Sequence, residues 1–360
     1  MLAPAPVAPA RSSVCPRPGD GVVKDVATDA GSRVLDGQSP EAVRATAHVL
    51  AGGELAGVPT ETVYGLAARA DQDGAVAKIF AAKGRPSDHP LIVHVLDEQG
   101  ARVFGQDLPP VAHRLIEAFW PGPLTLIVRR VPGIAAAAAG GQDTVGLRCP
   151  SHPVFRALMA ECRALGVEGL AAPSANRFGR VSPTTAAHVA DEFDPGLTVL
   201  DGGPCDVGIE STIVDVSRGG LVLLRPGVLT PEQLEAAAGL PLQAPDARAP
   251  RASGTLAAHY APRATVRLMS TETLREALSS EPPAGLAVYS RTSFDGTCAP
   301  ALHRAMPAQA RAAARQLFAV LRELDAAGAT EIWIEAPPQE AAWDGVRDRL
   351  SRAAAAFAPR

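Results

Sequence analysis

The spacing of the predicted strands limits the fold of this 360-residue chain more than any other feature. Parallel neighbours in a sheet need a crossover of about a dozen residues or more, whereas antiparallel neighbours do not. Apolar runs predict five strands, several with no room between them for a crossover helix: Leu124–Arg130, Thr144–Cys149, Thr198–Leu200, Ser211–Val216 and Leu221–Leu224. Elsewhere strands alternate with helices, as they do in α/β domains. The sequence therefore predicts an α/β domain whose sheet is mixed rather than wholly parallel.

Start and stop signals place the helices of the same region. Ser39 precedes Pro40 and predicts an N-cap, and Gly52-Gly53 ends that helix. Ser182 also precedes a proline, and it predicts the cap of a helix that runs to Phe193. Further helices are predicted at residues 74–83, 110–120, 153–165 and 231–238, and further strands just before residue 59 and at 91–96 and 169–173.

The composition changes after residue 240. Pro241–Thr255 is rich in proline, alanine and arginine, which is typical of a linker. From Ala264 the pattern is strand, helix, strand, a long helix (Pro307–Gly328), strand Glu331–Glu335 and a final helix. This order predicts a second, smaller α/β domain of Rossmann-like topology. That part contains no Gly-x-Gly-x-x-Gly, so nothing predicts a nucleotide site in it.

Bulk properties narrow the class of protein. The first residues are rich in alanine and proline and lack a basic leader with an apolar core, which predicts a disordered extension over residues 1–32; a transit peptide is the alternative. The net charge of −4 argues against general affinity for nucleic acids, although a local basic pocket stays open. No apolar run approaches the ~18 residues of a membrane span. Five scattered cysteines predict neither a zinc site nor disulfides, so we expect the cytoplasm.

The segment Val58–Leu66 concentrates hydroxyl groups between a proline and a glycine. Thr60, Thr62 and Tyr64 can each donate and accept hydrogen bonds, as the site of a small polar ligand requires. A hairpin turn with side-chain-to-backbone bonds is the alternative, because threonine makes such bonds readily. The segment by itself leaves both interpretations open.

The strand Thr144–Cys149 has one unusual face. Alternation places Thr144, Gly146 and Arg148 on one side and two apolar residues on the other. A guanidinium matches the geometry of a carboxylate, so this face suits a ligand better than a core. An edge-strand arginine that reaches solvent is the alternative.

Several other polar residues have two interpretations each. Lys83 and Arg85 lie at the predicted end of a helix, where they either complement the helix dipole or form one side of a phosphate clamp. Ser182 either caps its helix or marks a helix start that receives a phosphate. His94, at the end of a strand, is either structural or in contact with a substrate.

These segments belong to a longer ordered series of motifs. The series includes Val58–Leu66, Lys78–Pro86, Pro90–Val95, Trp120–Thr125, Val145–Pro150, Pro173–Asn176, Ser182–Thr184, Gly208–Thr212 and Leu224–Gly227. Together they resemble the YrdC-type threonylcarbamoyl-AMP synthases over residues 34–262. His259-Tyr260-Ala261-Pro262 is similar to the two-domain branch of that family, and the C-terminal part matches more sparsely, at Arg322–Asp325 and Asp348–Leu350.

The resemblance implies a fold and a site. It implies a YrdC-like twisted mixed sheet with helices in residues 33–240, a linker or lid in 241–263 and a Rossmann-like domain in 264–360. The implied catalytic residues are Lys83, Arg85, Ser174 and Asn176. The implied L-threonine contacts are Thr60, His94, Arg148, Ala172 and Ser211, with Arg148 on the carboxylate. The implied ATP contacts are Lys83, Arg85, Ser87, Thr144, Ser174, Ser182, Arg225 and Tyr260. Glu61 and Glu210 are candidates for magnesium or water contacts.

The resemblance also implies a reaction and its partners. L-threonine, bicarbonate or CO₂, and ATP with Mg²⁺ would give threonylcarbamoyl-AMP and pyrophosphate, the first serving to make threonylcarbamoyladenosine in tRNA. Threonine's amine would become a carbamate that attacks the α-phosphate. We expect downstream partners that transfer the threonylcarbamoyl group to tRNA, and no stable nucleic-acid complex. Two alternatives stay open: a non-catalytic module for double-stranded RNA or tRNA, and a carbamoyl transferase related to the hydrogenase maturation proteins.

The chain departs from the family in the linker. Many two-domain relatives carry a tyrosine over the nucleotide where this chain has Ala257. We therefore still expect a lid made by the linker, with His259 or Tyr260 as candidates to replace the missing aromatic contact.

Overall fold

The computed structural model describes Met1 and residues 33–280, 282–294 and 302–357. The extension predicted over residues 1–32 therefore lies, apart from Met1, outside the described residues. The buried cysteines Cys149, Cys162 and Cys205 are free thiols, and Cys15 and Cys298 fall outside the described ranges. No helix in the described residues is long and apolar enough to cross a membrane.

Ten strands of the described residues form one large sheet: β1 (Arg33–Asp36), β2 (Ala56–Val58), β3 (Gly65–Arg69), β4 (Ile92–Val95), β5 (Leu124–Arg129), β6 (Thr144–Arg148), β7 (Gly169–Ala171), β8 (Thr198–Asp201), β9 (Thr212–Asp215) and β10 (Val222–Arg225). They lie in the order β1-β8-β2-β3-β7-β4-β6-β5-β9-β10. The pairs β4–β6 and β5–β9 are parallel, whereas β5–β6 and β9–β10 are antiparallel. The predicted mixed sheet is confirmed.

Seven helices accompany this sheet in the described part of the chain: α1 (Pro40–Ala51), α2 (Asp73–Lys83), α3 (Glu98–Phe104), α4 (Pro110–Phe119), α5 (Pro153–Ala164), α6 (Ala186–Ala190) and α7 (Pro231–Ala238). Helices α1 and α5 bury Leu50 and Phe155 in one apolar cluster. Helices α2, α3 and α4 bury Ile79, Phe104 and Leu115 in another. The sheet is thus covered by apolar helix faces, which leaves its strand ends and loops to form a site.

The capping signals predicted one helix correctly and misplaced another. Ser39 Oγ accepts a hydrogen bond from the amide of Ala42 at 3.3 Å, which confirms it as the N-cap of α1. The helix predicted from Ser182 to Phe193 is wrong, because α6 has only five residues and its N-cap is Thr185. The Ser182 hydroxyl instead donates to the carboxylate of Glu210. Ser182 is therefore neither a helix cap nor part of a helix start.

The C-terminal part forms a separate, smaller sheet. Its elements are β11 (Thr265–Met269), α8 (Thr271–Ser279), β12 (Leu286–Ser290), β13 (Leu302–Ala305), α9 (Ala310–Ala326), β14 (Glu331–Glu335), a 3-10 helix (Ala341–Trp343) and α10 (Asp344–Ala355). The strand order is β11-β14-β12-β13, and all of these pairs are parallel. This arrangement confirms the predicted smaller α/β domain.

The two sheets are joined by a shared apolar cluster. Val63, Val207 and Ile209 of the large domain pack with Phe318 of α9 and Val346 of α10. At Gly208, φ is +81°, and an added Cβ would lie 2.4 Å from the Cα of Arg315 in α9. Only glycine fits so close an approach. The loop just before β9 therefore packs directly on the C-terminal domain.

Candidate active site

One cavity of the large domain is lined by most of the residues that the sequence predicted. It lies where the β2–β3 turn, the ends of β4, β6 and β7, the loop before β9 and the linker meet. The residues that line it are Thr60, Thr62, Val63, Gly65, Arg85, Ile92, His94, Arg148, Ala172, Pro173, Ser174, Glu210, Ser211, Arg225, Ser253, Gly254, His259 and Tyr260.

This cavity gathers both predicted substrate sets, although not completely. All of the predicted threonine contacts line it: Thr60, His94, Arg148, Ala172 and Ser211. Four of the predicted ATP contacts line it as well: Arg85, Ser174, Arg225 and Tyr260. The predicted site residues outside its lining are Lys83, Ser87, Thr144, Asn176 and Ser182.

The β2–β3 turn is held by its own hydroxyl groups. Thr60 Oγ1 lies 2.6 Å from the carbonyl oxygen of Val63, to which it donates, and it accepts from the amides of Thr62 and Val63 at 3.2 Å. Thr62 Oγ1 is 2.9 Å from Thr60 Oγ1. The hairpin-turn interpretation is thus confirmed, and the same turn also lines the cavity.

Arg148 is an interior residue of the sheet. Strand β6 lies between β4 and β5, and Arg148 is only 3% exposed, so the edge-strand interpretation is wrong. Its neighbours Val145 and Leu147 belong to the apolar core, which confirms the predicted alternation. The guanidinium donates to Thr62 Oγ1 at 2.7 Å and to the Gly122 carbonyl at 3.3 Å. It therefore reaches the cavity already oriented.

One nitrogen of Arg148 has no hydrogen bond within the described residues. Its Nη2 lies 2.7 Å from Glu61 Oε1 in a buried ion pair, but neither of these two atoms has a hydrogen-bond partner. Glu61 is held in place through its other oxygen, which accepts from the Ser151 amide at 3.1 Å. A buried donor of this kind is normally satisfied. Arg148 Nη2 is thus engaged by Glu61 through charge rather than through an aligned hydrogen bond.

Two histidines next to the cavity are neutral. His94 contacts the Ile92 carbonyl through Nδ1 at 3.1 Å and the Phe155 ring edge-on. Burial, with a smaller contribution from the Arg148 charge, lowers the pKa of His94 to about 3. Burial also lowers the pKa of His259 to about 3. A group with so low a pKa is a poor proton acceptor near pH 7.

These two histidines predict a pH dependence of stability. An unfolded histidine has a pKa of about 6.5. Between about pH 6.5 and pH 3 the unfolded chain therefore binds more protons than the folded chain, and the free energy of unfolding falls as the pH falls. We expect a loss approaching ~1.4 kcal/mol per pH unit for each buried histidine within that window.

Urea unfolding at about pH 7.5, 6.5 and 5.5 measures this loss. His94→Asn should flatten the dependence, whereas substitution of the exposed His48 by Gln serves as the control and should leave it unchanged. An equally steep dependence in His94→Asn would contradict the assignment of this effect to His94.

Two further arginines line the cavity from other elements. Arg85 follows α2, and Arg225 is the last residue of β10. Arg225 donates twice to the Ser211 carbonyl, at 2.8 and 3.1 Å, and once to the Ser253 carbonyl at 2.8 Å. Arg85 donates to the Pro90 carbonyl at 3.0 Å, while its Nε is buried and has no hydrogen-bond partner among the described residues. Burial lowers the pKa of Arg85 to about 10. Both groups are therefore cations beside the cavity near pH 7.

Lys83 and Asn176 hold the loop after β7. Lys83 Nζ donates to the Ser174 carbonyl at 2.6 Å and to the Asn176 carbonyl, rather than to carbonyls of its own helix. Asn176 Nδ2 donates to the carbonyls of Arg177 and Arg180 at 2.7 and 3.0 Å, and its Oδ1 is buried without a partner. These two residues therefore position Ser174, which lines the cavity, rather than line it themselves.

The remaining predicted residues lie apart from the cavity. Thr144 is at the opposite end of β6 from Arg148, and it is buried. Ser87 is exposed in the turn after α2. Thr144 shares a strand face with Arg148, and Ser87 directly follows the Lys78–Pro86 motif. The sequence could not show how far along that strand or that turn a ligand reaches.

The linker supplies one wall. Ser253, Gly254, His259 and Tyr260 line the cavity, whereas Ala257 is exposed and does not. The Tyr260 ring stacks on Phe318 of α9 with a centroid distance of 5.4 Å and lies 4.2 Å from the His259 ring. The aromatic candidates therefore lie against the cavity. Sequence reasoning did not assign Ser253 or Gly254 to the site, because nothing in a linker composition marks individual contacts.

The carboxylates beside the cavity are already engaged by arginines. Glu61 pairs with Arg148, and Glu210 pairs with Arg349 at 2.9 Å. No group of three or more His, Cys, Asp or Glu in the described ranges could hold a metal ion.

Comparison with known proteins places both domains. A family model described as "Telomere recombination", for the Sua5, YciO and YrdC proteins, matches residues 48–227. A second, described as "Threonylcarbamoyl-AMP synthase, C-terminal domain", matches residues 229–355. The threonylcarbamoyl-AMP synthase of Pyrococcus abyssi is 34% identical over 325 residues, covering 86% of this chain and 93% of that protein. That of Bacillus subtilis is 41% identical over 241 residues, covering 65% and 68%.

A solved structure agrees with these matches. The crystal structure of Pyrococcus abyssi Sua5 complexed with L-threonine superposes with a TM-score of 0.78 at 32% identity. The superposition covers 88% of this chain and 95% of the other. The likeness therefore extends over the large domain, the linker and the C-terminal domain together.

Proposed function

The chain belongs to the threonylcarbamoyl-AMP synthase family, and from this membership we propose how its cavity forms threonylcarbamoyl-AMP and pyrophosphate from L-threonine, bicarbonate or CO₂, and ATP. The observation that carries the proposal is the composition of one cavity. The five predicted threonine contacts line it together with the cations Arg85 and Arg225. A carboxylate-binding group and phosphate-binding groups thus line the same cavity.

The threonine end is built around Arg148. Threonine's carboxylate pairs with the guanidinium of Arg148, which lines the cavity and whose Nη1 and Nε are fixed by Thr62 and Gly122. A guanidinium held in this way loses little freedom when it binds a carboxylate. Ser211 also lines the cavity, and its Oγ lies 2.7 Å from Thr125 Oγ1. We propose that this hydroxyl binds polar groups of threonine. Neutral His94 closes the pocket without adding a second cation.

The phosphate end is built around Arg85 and Arg225. Their side chains are buried and tied to backbone carbonyls, so the charges stand ready before the nucleotide binds. Preorganised charge of this kind can lower a barrier by several kcal/mol. Ser174, held by Lys83 through its backbone, contributes a hydroxyl on the same side. Magnesium, which we propose enters on the triphosphate, would neutralise additional phosphate charge.

The reaction needs placement rather than a covalent intermediate on the protein. The amine nitrogen of threonine bonds to the carbon of CO₂ and loses a proton, which gives a carbamate. A carbamate oxygen then bonds to the α-phosphorus, and the bond to the β-phosphate oxygen breaks to release pyrophosphate. Holding two substrates in line can supply ~7–11 kcal/mol of the barrier. The linker wall excludes water, in which a carbamate decomposes.

The downstream partners of the chain and its location are also proposals. We infer that the product is passed on to proteins that transfer the threonylcarbamoyl group to tRNA, in the cytoplasm, without a stable complex between this chain and nucleic acid. The net charge of −4 supports the last point.

Pyrophosphate release tests the proposed function. The chain, ATP, magnesium and bicarbonate are combined with threonine, with serine, with other amino acids or with none. We expect release that requires both threonine and bicarbonate. No release under any of these conditions, together with measurable binding of double-stranded RNA, would instead support the non-catalytic module.

A further inference from the structure

We propose that Arg349 of the C-terminal domain is a positioning residue of the synthase site and acts on it through Glu210. The inference rests on the proposed function and gives the second domain a role in it. Arg349 is among the largest fully buried side chains of the described residues, with 1% exposure. It belongs to α10, yet most of its hydrogen-bond acceptors lie in the large domain.

The contacts of Arg349 join two loops of the cavity. Its Nε donates to Glu210 Oε2 at 2.9 Å, and its Nη2 donates to the Glu210 carbonyl at 3.2 Å. Its Nη1 donates to the Pro226 carbonyl at 2.7 Å and to its own neighbour Asp348 at 2.9 Å. A guanidinium offers donors in a rigid plane. Arg349 therefore fixes the backbone at residues 210 and 226 relative to each other.

These two fixed points stand next to substrate-facing residues. Glu210 precedes Ser211, and Pro226 follows Arg225. Arg225 itself donates to the Ser211 carbonyl, so the four residues are linked by hydrogen bonds and by their shared backbone. A shift at Glu210 would therefore displace the threonine-facing hydroxyl of Ser211 and the phosphate-facing cation of Arg225 together.

Arg349 also sets the charge balance of this unit. Burial alone would raise the pKa of Glu210, but the charges of Arg349 and Arg225 and the bond from Ser182 more than offset it and hold the pKa below its usual value. The guanidinium carbon of Arg349 also lies 5.5 Å from the centre of the Tyr260 ring, in the linker wall. The arginine thus contacts the loop before β9, the turn after β10 and the linker.

An ion pair that joins the domains without touching the cavity should contribute to domain contact but not to catalysis. The Arg322–Glu192 pair, at 2.7 Å, also joins the domains, but neither residue lines the cavity. Glu192→Gln removes the charge of that pair and serves as the matched control for a general loss of domain contact. Arg347 also lies in α10, and its contacts stay within the C-terminal domain. Arg347→Met therefore controls for a change in α10 itself.

The experiment measures threonine-dependent pyrophosphate release and urea unfolding in Arg349→Met, Arg349→Lys and the two controls. We expect kcat/KM to fall by about 10²-fold in Arg349→Met, because small displacements of reacting groups cost that much. Arg349→Lys keeps the charge but not the planar donors, so we expect it to recover stability more fully than kcat. Both controls should stay within about twofold of the wild type, because among the described residues no hydrogen bond or ion pair of Glu192 or Arg347 reaches a residue that lines the cavity.

The pH profile separates positioning from mere folding. Without Arg349 the pKa of Glu210 should rise, so the acid limb of kcat/KM should move to higher pH in Arg349→Met, and it should not move in Glu192→Gln. The double substitution Arg349→Met with Glu210→Gln should show no such movement. Glu210→Gln alone also breaks the contact with Arg349, so it should lower kcat/KM as Arg349→Met does, and it provides the test if Arg349→Met fails to fold. Folded Arg349 variants with wild-type kcat/KM and an unmoved acid limb would overturn the inference while leaving the function intact. An inactive wild-type chain would overturn both.

Discussion

Arg148→Met is expected to raise the KM for threonine by about 30-fold or more while ATP still binds. Removing one member of a buried, hydrogen-bonded charge pair costs ~2–5 kcal/mol, and 2 kcal/mol corresponds to about 30-fold in affinity. Arg148 is the cation at the threonine end of the cavity, 3% exposed and fixed by Thr62 and Gly122. Threonine affinity by calorimetry and ATP affinity with a fluorescent analogue give the two readouts.

The control for this substitution addresses the partner it leaves behind. Arg148→Met leaves Glu61 buried and unpaired, which by itself destabilises the fold. The double substitution Arg148→Met with Glu61→Gln removes that charge and should recover stability without recovering threonine affinity. If the folded Arg148→Met chain binds threonine as tightly as the wild type does, Arg148 does not hold the carboxylate.

Lys83→Met is expected to lower turnover by about 10²-fold or more. Lys83 Nζ joins the carbonyls of Ser174 and Asn176, and its removal breaks both of these hydrogen bonds. The loop that carries Ser174 then loses its position against the cavity, and misplacement of about 1 Å can cost 10²-fold. The measurement is kcat for pyrophosphate release with saturating threonine and ATP.

The exposed lysine of the same helix provides the comparison. Lys78 pairs with Glu54 near the surface and does not touch the cavity, so Lys78→Met should keep wild-type turnover. A folded Lys83→Met chain with wild-type turnover would remove Lys83 from the machinery.

Local signals predicted the elements whose ends are set by their own residues. Ser39 caps α1, and α2 ends at Gly84, where φ is +63°. Strand β3 was not predicted, because its glycine and alanines have little strand preference and owe their place to their neighbours in the sheet. Ser182 was misplaced for a related reason: its hydroxyl has a more distant partner, Glu210, which outcompetes the local capping bond.

The residues of the site also fall into two classes, those that a local pattern predicts and those that only the packing of the domains brings together. Alternation in β6 predicted the ligand face of Arg148 correctly, because a strand fixes the direction of its side chains. The threonine contacts were reached by resemblance and lie together in the cavity. The pairing of Glu210 with Arg349 could not be read from the sequence, because 139 positions separate the two residues and only domain packing brings them together.

The order of strands in the large sheet has a consequence for synthesis of the chain. Strand β1 lies beside β8, with Arg33 opposite Thr198, so its partner is made long after it. At about 5–20 residues per second, roughly 8 to 33 seconds of translation separate them. During that interval the nascent chain carries unpaired strand edges, and it exposes them to other nascent chains. Arg349 follows later still. The contact between Arg349 and Glu210 therefore forms only after α10 has been synthesised.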